Sequence, residues 1–243
     1  MRKGVKVYLF QVLVLASLVV LYDVTRSFPL LIGVIALISG GYIIYGLYFK
    51  IRPLPYLEKI VNPSVYMEYI ESKVKRRVPL YYPLYKAYGL IYQNKLDEAV
   101  SVYQENTLTI DDLNEDLFRV YTLVEAHIYY YQNNKQALIN LEKRIEGHKH
   151  RTFAVGQTIV LFRHLIDEEY YKAKELLLLL IPEYKTRLHI VEMEYYLALA
   201  YGQLDNKEDA LAVIDFMLDK NYPVFYTNLF KELKERITEN EEA

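Results

Sequence analysis

The chain of 243 residues contains no cysteine and no tryptophan. Without cysteine there can be no disulfide, no thiolate metal site and no cysteine nucleophile. Neither sign of charge dominates. Lys and Arg number 29 against 31 Asp and Glu, and a net charge of −2 gives no global basic field for nucleic acid. Glycine is scarce beyond residue 50, where Gly89, Gly147, Gly156 and Gly202 stand alone, so no glycine-rich loop can cradle a phosphate. The paired acids Asp111-Asp112 and Glu168-Glu169 are sequence neighbours, which do not face one another on a helix, and they read as caps and solvated surface. His148 and His150 lie among Lys143, Arg144, Lys149 and Arg151, a setting that disfavours a metal cation. His127, His164 and His189 occur singly and read as packing or surface residues. With no nucleophile constellation or metalloprotease helix either, the expectation is a protein that is not an enzyme, with no cofactor and no metal.

What the chain does have is two apolar runs at its start, Val7–Tyr22 and Phe28–Phe49, separated by Asp23-Val24-Thr25-Arg26-Ser27. About 20 apolar residues carry a helix across a bilayer core. Core helices normally keep a polar side at helical spacing, and neither run has one. The expectation is a transmembrane hairpin in residues 1–50, with helices over about 7–24 and 28–49. The first run has a basic start but no small-x-small cleavage site, so it reads as an uncleaved anchor. Arg2, Lys3 and Lys6 precede the first run, and Lys50, Arg52 and Lys59 follow the second. Both termini are therefore expected on the cytoplasmic side of the cell membrane. Gly33, Ala36 and Gly40 share one face of the second helix, a surface on which the first can pack closely.

Residues 51–79 read as a juxtamembrane linker and helix. Asn62 caps the helix, Pro63 stands at its first position, and Pro79 ends it. Lys73, Lys75, Arg76 and Arg77 on this helix are candidates for contact with anionic lipid head groups.

Four related segments follow: Lys95–Ala99, Asn133–Ala137, Glu169–Ala173 and Asn206–Ala210. Four residues after each alanine comes a larger residue: Tyr103, Leu141, Leu177 and Ile214. An apolar stretch at helical spacing precedes each segment. A period of this length reads as stacked helical hairpins, in which a small residue lets two helices cross closely and a large one fills the next gap. The paired helices are expected at Leu80–Asn94 with Leu96–Glu105, Asp112–Gln132 with Lys135–Glu146, Thr152–Ile166 with Glu168–Ile181, and Leu188–Leu204 with Lys207–Asp219. Asp111 or Asp112 is the natural cap for the third of these helices. Residues 224–243 read as a capping helix with an acidic tail. No stretch reads as a strand, so the fold class is all-α: two transmembrane helices, then an α-solenoid of about four hairpins over residues 80–223.

This pattern resembles the tetratricopeptide repeat. Its small first-helix residue is matched by Ala87 and Ala198, and not by Glu125 or Leu161 at the equivalent offset. The resemblance implies a concave surface lined from the first helices. Carried over by offset, that surface comprises Tyr81, Tyr88, Tyr92, Tyr129, Tyr130, Phe162 and Tyr195. An aromatic groove of this kind suits a peptide. The reading that follows is a membrane-anchored scaffold binding a protein or peptide partner at the cytoplasmic face, as bacterial proteins of this layout do in envelope assembly, secretion or division. Two rivals stand beside it. One is an accessory subunit of a membrane enzyme that acts through the hairpin. The other is a sensor of a peptide ligand.

Overall fold

The computed structural model describes residues 53–220 and 222–239. The expected spans, and Gly33, Ala36 and Gly40 with them, lie outside the described residues. Among the described residues no helix is long and apolar enough to cross a membrane, and there is no strand.

A short helix α1 (Leu54–Glu58) opens the described chain. It closes on Val61, a buried β-branched residue in the left-handed region at φ 58°. Such a backbone costs about 1–3 kcal/mol and persists only where its surroundings enforce it. Helix α2 (Pro63–Tyr69) starts as expected, with Asn62 Oδ1 accepting from the Val65 N–H at 3.1 Å and Pro63 in the first turn. It runs through a π-helical turn (Ile70–Val74) into α3 (Lys75–Arg77).

Four helical hairpins follow. They are α4 (Tyr82–Ile91) with α5 (Leu96–Tyr103), α6 (Glu115–Tyr131) with α7 (Lys135–Ile145), α8 (Phe153–Ile166) with α9 (Tyr170–Leu180), and α10 (Arg187–Gln203) with α11 (Lys207–Leu218). Helix α12 (Val224–Glu239) packs on the last pair. Helix α6 begins later than expected. Ile110–Asp112 forms a 3₁₀ turn, and Asn114 is the cap, its Oδ1 accepting from the Leu117 N–H at 3.0 Å.

The same turn joins the two helices of every pair. Asn94, Asn133, Glu168 and Asp205 each sit at positive φ, between 52° and 57°. The next N–H reaches back to the carbonyl five residues earlier: Lys95 to Leu90, Asn134 to Tyr129, Glu169 to His164 and Asn206 to Tyr201. This left-handed cap satisfies carbonyls that the helix end leaves open. It also fixes the repeat register independently of side chains. Counted from the turns, Ala99, Ala173 and Ala210 are equivalent, and the residue matching them in the second hairpin is Leu138, not Ala137. All four are fully buried, whereas Ala137 is not. The sequence register of that hairpin is therefore corrected by one residue. The same shift makes Ala126 the counterpart of Ala87 and Ala198 in place of Glu125. Ala87, Ala126 and Ala198 are fully buried.

Gly89 marks the tightest helix contact. A methyl group there would stand 2.5 Å from Met67 Sδ and 2.7 Å from the Tyr66 ring, itself fixed by its hydroxyl donating to the Tyr85 carbonyl at 2.9 Å. Gly89→Ala is expected to force α2 off α4 and to destabilise by about 1–3 kcal/mol despite the better helix propensity of alanine. A thermal melt in detergent micelles checks this; an unchanged or raised midpoint would contradict it.

Candidate functional site

The interior is crossed by charge. Helix α10 reaches back to α4, α6 and α1 through side chains far apart in sequence, and two polar clusters fill the space. In the first, the Glu58 carboxylate on α1 takes two bonds from the Arg119 guanidinium on α6, at 2.5 and 3.2 Å. The Tyr88 hydroxyl donates to Glu58 at 3.4 Å and lies 3.0 Å from His189 Nε2 on α10. Thr186 is bonded to the other ring nitrogen of His189 at 2.5 Å, and the Tyr184 ring stacks on the imidazole. In the second cluster, Glu192 on α10 pairs with His127 Nε2 on α6 and accepts from the Tyr92 hydroxyl at 2.9 Å. His127 Nδ1 lies 2.6 Å from the Leu123 carbonyl, where it donates.

The two imidazoles are held in opposite charge states. Burial pushes both down. At His127 the Glu192 carboxylate and the Leu123 carbonyl outweigh burial and raise the pKa, so this ring is the imidazolium of an ion pair. Burial would raise Glu192, yet His127 overrides it and the carboxyl is lowered. At His189 burial wins, aided by the positive charges of Arg119 and His127, and the pKa falls to about 3. His189 is therefore neutral at ordinary pH.

Where the inner helices end, these groups give way to a pocket of about 190 Å³ between α4, α6, α10 and α12. Glu192, His127 and Tyr92 contribute its polar lining. Its aromatic walls are Tyr130, Tyr131, Tyr195, Tyr196, Tyr226 and Phe230.

Against this geometry the expected aromatic groove divides. Tyr92, Tyr130 and Tyr195 line the pocket. Tyr88 and Phe162 are fully buried and present nothing to a peptide, which corrects their assignment as groove residues. Tyr88 is consumed by Glu58 and His189, and Phe162 by stacking on Tyr130 and meeting His127 edge-on. Tyr129 turns to a different cleft, beside Tyr103 and Tyr121, with its hydroxyl donating to Glu125 at 3.4 Å. Tyr81 is half-buried in the 3₁₀ turn before α4, away from the pocket. The corrected register explains part of this. His127, not a tyrosine, occupies the place of Tyr88 and Phe162 in the second hairpin.

Glu58, Arg119, His189 and Glu192 were not singled out as site residues from the sequence. A signal existed on α10, where His189 and Glu192 interrupt the apolar run Leu188–Met193 one helical turn apart. Of the basic group, Lys73, Lys75, Arg76 and Arg77 are all exposed, with Lys75 3.5 Å from Glu71 and above the Tyr82 ring. His148 stacks on Phe118, and its Nδ1 accepts from the His150 N–H at 3.2 Å. Among the described residues no group of His, Asp and Glu forms a metal-binding cluster.

The chain matches no family model, no curated protein and no solved structure.

Proposed function

We propose that this protein is a non-enzymatic, membrane-anchored adaptor. Two N-terminal transmembrane helices, Val7–Tyr22 and Phe28–Phe49, hold it in the cell membrane with both termini cytoplasmic. A solenoid similar to tetratricopeptide repeats engages a partner protein at that face. The observation that carries the reading is the aromatic pocket between α4, α6, α10 and α12. Rigid tyrosines with apolar bodies and polar tips are the side chains on which protein contacts most depend. The contact is an anchor residue in a pocket, because the inner face elsewhere is filled by its own side chains. Anchoring confines both partners to a thin layer and raises their effective concentration, so a small contact suffices. Lys73, Lys75, Arg76 and Arg77 supply a further contact with anionic lipid.

Photocrosslinking in intact cells tests this. A photoreactive residue at Tyr131, on the pocket rim and 46% exposed, or at Tyr195 is expected to capture the same membrane-associated protein. The pocket-filling variant Leu229→Trp is expected to abolish both crosslinks. Capture from Gly40 alone, untouched by Leu229→Trp, would move the function to the hairpin and make the protein an accessory subunit of a membrane complex.

A further inference from the structure

The chemistry of the pocket narrows what it takes. Four of its rings meet edge to face in succession. Tyr130 and Tyr196 stand at 86° with centroids 5.9 Å apart, Tyr196 and Tyr195 at 69° and 5.7 Å, and Tyr195 and Phe230 at 75° and 6.0 Å. These rings form walls at steep angles, not a stacked sheet. An aromatic face is electron-rich, and several faces around one volume attract a cation.

The polar side points the same way. Neither lysine nor arginine lines the pocket, while the buried Glu192 carboxylate does. Glu192 gives one lone pair of Oε1 to His127 and one of Oε2 to Tyr92, and each oxygen keeps a second. An anion would meet this carboxylate with little to hold it. A guanidinium prefers a carboxylate edge offering two parallel acceptors, and here each oxygen is already turned to its own donor. A compact ammonium needs one acceptor and an aromatic surround. The volume of about 190 Å³ holds one head group and the end of its stem, not a length of peptide.

We propose that the pocket is a cage for the alkylammonium group of a lysine on the partner protein, held by Tyr130, Tyr195, Tyr196 and Phe230 beside Glu192. This rests on the adaptor reading and specifies its anchor residue.

Because the chain has no tryptophan, Tyr195→Trp creates a single fluorophore that keeps an aromatic face in the wall. The full chain, in maltoside micelles free of ammonium head groups, is titrated with Nα-acetyl-lysine methylamide, with its uncharged Nε-acetylated form, and with tetramethylammonium. The expected result is a saturable change with the lysine probe and none with the Nε-acetylated one. Adding Glu192→Gln is expected to weaken binding about tenfold with the circular dichroism spectrum unchanged. Should that variant misfold, Tyr130→Leu is expected to weaken binding by a similar factor. Equal response to the Nε-acetylated probe overturns the cation assignment and leaves an apolar pocket, with the adaptor reading intact. Response to tetramethylammonium alone overturns the lysine and makes the ligand a quaternary head group. Silence with all three overturns the cage, and the crosslinks from Tyr131 then decide whether the adaptor reading stands.

Discussion

Acidification from about pH 7 to about pH 4 is expected to destabilise this protein steeply, and His189 is the main reason. In the unfolded chain this histidine takes a proton near pH 6.5, whereas in the fold its pKa is about 3. Between those values the unfolded state binds the extra proton. Stability therefore falls as pH falls, by about 1.4 kcal/mol per pH unit for one such group. Glu192, lowered in the fold, adds to the loss below its unfolded value of about 4.3. His127 acts in the opposite direction. Its pKa is raised, so its contribution is complete below about pH 6.5 and is lost as pH rises through the folded value. The stability profile is thus a dome. The groups facing His189 are Tyr88, Thr186 and Tyr184, none of which ionises in this window. His189→Phe keeps the ring that stacks on Tyr184 and removes the titration. It is expected to flatten the slope between about pH 4 and pH 6 by about 1.4 kcal/mol per pH unit. Urea unfolding of the full chain in micelles at several pH values measures this, and an unchanged slope would place the acid sensitivity elsewhere.

The second large effect belongs to Arg119. Its guanidinium is the strong partner of Glu58, which is only 5% exposed. Arg119→Met would leave a carboxylate buried without its counter-charge, at a cost of about 3–5 kcal/mol. Replacing both partners, as Glu58→Met with Arg119→Met, is expected to recover most of that loss, because well-packed apolar groups often substitute for a buried pair at little cost. The single variant should also loosen α1. The exposed Lys59 just beyond it becomes the site to watch in limited trypsin digestion. Faster cleavage there in Arg119→Met, reversed in the double variant, is the expected outcome. Equal instability of both variants would show that packing alone holds α1.

The helical hairpins were legible because their signals are local. Alanine at the crossing, an apolar stripe before it and Asn62-Pro63 at a helix start all act within a turn or two of chain. The register of the second hairpin was not. Ala137 and Leu138 are adjacent and both apolar, and the turn that decides between them is set by the left-handed backbone at Asn133. A one-residue error rotates a helix face by about 100°. That shift set the expected groove on Tyr129 and Tyr130 and passed over His127. The fate of Tyr88 and Phe162 was hidden for another reason. Periodicity says which face turns inward, but not how tightly the hairpins curve. Here the curvature brings α10 against α4, and what reads as a surface becomes an interior. Glu58 was illegible because its partner Arg119 is two helical elements away and nothing local announces the pairing.

The bonds from α10 back to α1 and α4 have a consequence for how the protein comes apart. In an open array of hairpins each unit touches only its neighbours, so melting can begin at an end and spread, and a terminal unit can be deleted at modest cost. Here Tyr88 and Tyr92 in the first hairpin are bonded to His189 and Glu192 in the last. Fraying either end exposes buried charge at the other. The four hairpins therefore behave thermodynamically as one object, with a single sharp transition and no stable three-hairpin fragment.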